Sequence, residues 1–177
     1  MKTEFKTKFL QHLNIKKQEE GFTLIELLVV VIIIGILAAV ALPSLLSQAN
    51  KAKQVEARNN VGAMNRAQQA FFLEKSRFGA YDELGVGIQT QTTNYEYTFS
   101  PPAPANTDTG IAILASTLTN GLKPYTGLVW TAVDATTSQS TTRALLCEET
   151  LPTATPSGPS VTGAATECGA NMVNLGE

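Results

Sequence analysis

A chain of 177 residues is long enough for one ordinary domain plus an extension, and its net charge of −2 gives no general attraction to nucleic acid. Its single histidine, His12, precedes every packing pattern, which excludes imidazole bases and most catalytic triads from the rest of the chain. Two cysteines are too few for a metal framework, and no Gly-x-x-x-x-Gly-Lys-Ser/Thr loop is present to cradle phosphate.

The charge is unevenly spread. Residues 1–20 carry Lys2, Lys6, Lys8, Lys16 and Lys17 against Glu4, Glu19 and Glu20. Then follows Gly21-Phe22-Thr23-Leu24-Ile25-Glu26, and from Leu27 to Leu42 no charged or strongly polar side chain occurs. With Phe22 to Ile25 added, the run is long enough to cross a bilayer as a helix. The preceding lysines predict a cytoplasmic N-terminus. Glu26 stands alone at the head of this run, where a carboxylate is expensive unless paired, so it reads as functional. The plainer reading is a Glu at the membrane interface facing water. A second parse also exists: Ala39-Val40-Ala41 fits a secretory cleavage site, although a sixteen-residue core is long for that role.

From Phe22 the sequence can be helical to about Ser76, interrupted only by Gly35 and Pro43. Leu45, Leu46, Ala49, Ala52, Val55, Ala63, Ala67, Ala70, Phe71 and Leu73 recur at helical spacing beside Gly62, opposite lysines, arginines and glutamines. Unbroken, about 55 residues at roughly 1.5 Å each would make a rod of about 80 Å. Gly35 and Pro43 weaken it, since Gly costs about 1 kcal/mol against Ala and Pro removes a hydrogen bond. Residues 44–77 are basic, with six cationic side chains against Glu56 and Glu74. From Phe78 onward Lys123 and Arg143 face nine acids. A basic stem and an acidic head suit subunits that stack, as they also suit simple solvation.

Phe78-Gly79-Ala80-Tyr81 punctuates the helix, and Gly85 and Gly87 prevent a restart. Strand candidates follow at Tyr95–Phe99, Ile111–Ala115, Leu128–Val133 and, more weakly, Thr142–Cys147. Their spacing favours an antiparallel meander whose apolar face is buried on the helix between about Val55 and Leu73. The fold class expected is α+β. Thr150 to Ala165 is a loop by composition, either bare or carrying O-linked sugars, and the chain has no Asn-x-Ser/Thr sequon. Cys147 and Cys168 read as a disulfide in an oxidising compartment, with two free thiols as the alternative. Gly85-Val86-Gly87 lacks the rest of a nucleotide-binding pattern. Asp82-Glu83 and Glu148-Glu149 read as surface charge. No catalytic residues, cofactor or metal site are expected, and the chain looks like the substrate of an enzyme rather than an enzyme.

The stretch Gly21-Phe22-Thr23-Leu24-Ile25-Glu26, between a charged leader and an apolar run, resembles the class III signal of type IV prepilins. The resemblance is close over residues 16–76 and extends to the remainder in layout. It implies cleavage by a prepilin peptidase between Gly21 and Phe22, and N-methylation of Phe22. Glu26 would pair with the Phe22 amine of a neighbouring subunit during assembly. It further implies a ladle-like pilin: leader 1–21, a membrane and assembly half of the helix at 22–43, and a head from 44 to 177. The stretch from Gly35 to Pro43 would unwind in the filament. The implied partners are identical copies, a pilus platform protein and assembly ATPases, with the inner membrane before assembly. The implied product is a surface filament for twitching motility, adhesion or DNA uptake. A pseudopilin of a type II secretion system shares the same signal and helix. The 21-residue leader resembles that of cyanobacterial pilins in layout, while Phe22 is type IVa-like.

Overall fold

The computed structural model describes residues 21–100, 109–133, 138–153, 155, 160–162, 165–169 and 171–176. The chain divides into two compact units, Met1–Leu46 and Ser47–Glu177. One helix, α1 (Leu24–Lys75, 52 residues), supplies elements of both, and it stays helical through Pro43. Its sequence explains its extent: an aliphatic run passes into Ala, Gln, Lys and Arg, all good helix formers. It stops at Ser76, which takes a left-handed conformation (φ 54°) while its amide still donates to Phe72 O.

In the first unit the described residues are the start of α1 and its lead-in from Gly21. Apart from Ala38, which is half-buried, every side chain from Leu24 to Leu46 is exposed.

The second unit packs the later part of α1 on a five-stranded antiparallel sheet. The strands are β1 (Tyr95–Ser100), β2 (Gly110–Thr117), β3 (Tyr125–Val133), β4 (Ser140–Glu149) and β7 (Met172–Asn174), adjacent in that order. A separate hairpin joins β5 (Ser160–Thr162) to β6 (Ala165–Glu167). All four predicted strands are present, each lengthened by one to four residues, and they form the expected meander. The expected loop over 150–165 is corrected: β5 begins at Ser160, a three-residue strand too short for composition to reveal. β7 was likewise not foreseen, for the same reason.

Alternation along the strands sorts the residues onto two faces. Tyr95, Tyr97, Ile113, Ala115 and Tyr125 meet Ala57, Val61 and Met64 of α1 in the main core. Phe78, Ile111, Val129 and Ala144 extend it, with Phe72 and Phe99 packed alongside. The opposite face is buried too. There Ala112, Leu128, Leu145 and Cys147 lie under Trp130, Cys168 and Met172.

The helix face that packs differs from the one read from periodicity. Val55 and Leu73 are exposed, whereas Ala57, Val61, Met64, Asn65 and Gln68 are buried. The reason is that two amides on this face satisfy backbone groups. Asn65 Nδ2 donates to Leu145 O at 3.0 Å. Gln68 donates to Gly79 O at 2.7 Å and accepts from Gly79 N at 3.0 Å. Gln68 is thus matched at both ends of its amide, which lets it be buried, while Asn65 Oδ1 has no hydrogen-bond partner among the described residues.

The acidic pair Glu148-Glu149 is also corrected: Glu149 is buried, and Glu148 is a half-buried ion pair. Lys123 Nζ lies 2.6 Å from Glu148 Oε1, and Tyr125 Oη donates to Oε2 at 3.1 Å. Burial, with this carboxylate beside it, pushes the Tyr125 hydroxyl well above its usual range.

Candidate functional site

The N-terminal segment shows how a helix can begin in an apolar environment with a carboxylate at its head. Thr23 is the helix cap. Its Oγ1 accepts from Glu26 N at 3.3 Å, and Glu26 Oε2 accepts from Thr23 N at 2.8 Å. The Thr23 hydroxyl donates to the same carboxylate oxygen at 2.7 Å. This is a reciprocal capping box, in which two otherwise unpaired groups of the first turn satisfy each other. The negative charge also sits at the positive end of the helix dipole. Thr23 was not singled out from the sequence, yet its Thr-x-x-Glu spacing is the signature of such a box.

From this cap α1 runs apolar and uncovered. Its most hydrophobic 18-residue window has a mean hydropathy of 3.1 and none of it is buried. Phe22 and Leu24 are more than four-fifths exposed. Such a surface, about five turns long, needs lipid or other protein around it. Gly35 and Pro43 both lie inside the helix, and among the described residues, its own helical turn aside, nothing lies within 4 Å of where a Gly35 Cβ would sit.

The head has its own fixed points. Cys147 and Cys168 are bonded, with Cα atoms 5.7 Å apart, and the bridge fastens the C-terminal segment to the second face of the sheet. β7 adds a ladder to β4 through Cys147↔Asn174, Glu148↔Val173 and Glu149↔Met172. At the end of α1, Arg77 binds Glu83 through two bonds of 2.9 and 2.6 Å and lies over the Phe71 ring. Glu83 also accepts from Ala80 N at 2.8 Å. These donors pull the Glu83 carboxyl down to about 2. Thus Gly21, Phe22 and Glu26 cluster at one end of the helix, while the cysteines belong to the head.

A head built of one helix on an antiparallel meander, with that helix beginning in a capped and uncovered apolar run, is the build of a pilin-type subunit. The family model for type IV pilin-like G and H matches residues 54–169, and that for the prokaryotic N-terminal methylation motif matches residues 16–42. The chain belongs to the type IV pilin-like G and H family. It is 42% identical over 87 residues to the type IV major pilin protein PilA of Myxococcus xanthus, covering 49% of this chain and 39% of that one. It is 30% identical over 92 residues to the type II secretion system core protein G of Dickeya chrysanthemi, covering 51% and 56%. It is 36% identical over 97 residues to the fimbrial protein EcpC of Eikenella corrodens, covering 55% and 62%. The chain therefore spans between about two-fifths and three-fifths of the length of these relatives. No solved structure matches significantly.

Proposed function

We propose that this chain is the structural subunit of a type IV pilus and not an enzyme. It is made as a precursor with residues 1–21 as a cytoplasmic leader, and a prepilin peptidase cuts after Gly21 and methylates Phe22. Residues 22–43 hold it in the inner membrane. A platform protein and assembly ATPases then transfer it into a filament of identical copies, with residues 44–177 forming the outward head. The observation that carries this reading is the uncovered apolar run of α1 with its self-satisfied carboxylate.

The capping box gives Glu26 a way to wait. Within one chain Thr23 satisfies the carboxylate, which lowers the cost of holding it near lipid. In the filament the Phe22 amine of a neighbour replaces that arrangement, and pairing the two charges sets axial register. Gly35 to Pro43 is the section that loosens on assembly. A pseudopilin of a type II secretion system is the second reading, supported by the similarity to core protein G.

Mass spectrometry of sheared surface filaments tests the proposal. The expected result is this chain beginning at methylated Phe22; a chain beginning at Leu42 would refute it. A deletion strain separates the two readings, since loss of surface filaments supports the pilus and loss of protein secretion supports the pseudopilin.

A further inference from the structure

We infer that the notch formed by Arg58, Gly62 and Arg66 docks a carboxylate-bearing face of a second copy of this chain. The inference rests on the polymer reading above. The three residues are spaced by four, so they share one face of α1. With Gln69, Leu146 and Gly176, among others, they line a cleft of about 430 Å³ between the helix, β4 and the C-terminal segment.

Gly62 is out of place by every internal criterion. A glycine in mid-helix is disfavoured against Ala because more backbone freedom is lost on folding. Among the described residues nothing requires it, since a Cβ there would meet Arg66 Nη1 alone, at an ordinary 3.6 Å. Gly127 is the contrast: a Cβ at that position would lie 2.3 Å from Asn65 Oδ1, so packing explains it. An absent side chain that the subunit does not need leaves a gap in the helix surface between Arg58 and Arg66, with the flexible end of Arg66 beside it. That is useful to a group approaching from outside.

Charge says what approaches. Among the described residues, the ion pairs use Arg77 and Lys123, and neither Arg58 nor Arg66 has a carboxylate partner. Guanidinium groups match carboxylates in a two-pronged geometry. From Phe78 onward the chain has nine acids against two bases. Of these, Asp82, Glu96 and Glu167 are exposed and lack a basic partner among the described residues. Unmatched positive charge on one element and unmatched negative charge on another are brought together when copies stack.

The test uses full-length chain in a pilus-forming strain, reading sheared filament yield against subunit level in the membrane. Gly62→Leu fills the notch with a good helix former, so subunit level and melting temperature in detergent should hold or rise while filament yield falls at least tenfold. Arg58→Glu with Arg66→Glu should do the same, and reversal of one of Asp82, Glu96 or Glu167 to Lys should restore filaments. Normal filament yield in Gly62→Leu and in the double Glu variant overturns the inference alone. So does failure of all three reversals to restore assembly. Wild-type chain that forms no filaments overturns the subunit reading, and this inference with it.

Discussion

Gly127→Ala probes the closest approach between α1 and the sheet. The new Cβ would lie 2.3 Å from Asn65 Oδ1 and 2.6 Å from Val61 Cγ1, where ordinary contact starts near 3.4 Å. The helix must therefore retreat by roughly 1 Å at this point. That retreat stretches the 3.0 Å bond from Asn65 Nδ2 to Leu145 O beyond hydrogen-bond range. Losing the bond costs about 1 kcal/mol and overpacking about 2 kcal/mol more. For a unit of this size a total of about 3 kcal/mol lowers the melting temperature by about 10 °C. Trp130, the only tryptophan, is half-buried on the far side of β3 and reports the transition by fluorescence of the full chain in detergent. The Asn65→Ala background removes one of the two colliding groups, so Gly127→Ala should cost about 1 kcal/mol less there. A fall of under 2 °C in Gly127→Ala, or strict additivity in the double variant, would refute the close-packing argument.

Replacing both Cys147 and Cys168 by Ser should cost about 3 kcal/mol, from the chain entropy released by opening a loop of about 21 residues; equal melting of oxidised and Ser variants would contradict this. The Arg77–Glu83 latch should show in a pH titration of stability. The Glu83 carboxyl is drawn from 4.5 to about 2, so its contribution is full above about pH 4.5 and is lost as pH falls towards 2. Glu83→Gln should flatten that part of the profile, and an unchanged slope would rule the latch out. Glu26→Ala should leave cleavage after Gly21 intact but abolish or sharply reduce filaments, as scored by shearing; normal piliation would remove the pairing role from Glu26.

Much of this architecture is legible in the sequence where the signal is long or repeated. The membrane-length run, the four main strands and the cysteine bridge fall into that group, because each is set by local composition or by a compartment rule. The helix face that packs was not legible. Leu73 and Val55 look like core residues, and only the backbone of Leu145 in β4 and of Gly79 beyond α1 makes Asn65 and Gln68 better occupants. Glu148 and Glu149 mislead for a related reason: adjacent strand residues point to opposite faces, and Lys123, which engages Glu148, is 25 residues distant. The Thr23–Glu26 box is different again. Its three-residue spacing is in plain view, but it is masked by the stronger reading of Glu26 as an intermolecular group.

The cover over the sheet's second face has a consequence for timing. Of the cover over Ala112, Leu128 and Leu145, Trp130 belongs to β3 itself, whereas Cys168 and Met172 come after β4 and the β5–β6 hairpin. During synthesis the meander through β4 is therefore complete in sequence while one of its faces still lacks this late part of its cover. In that interval three apolar side chains and the free edge of β4 are open to other nascent chains. Oxidation of Cys147 is then a ratchet as well as a fastening: once the bond to Cys168 forms, the late segment is held over the exposed face and the sticky period closes.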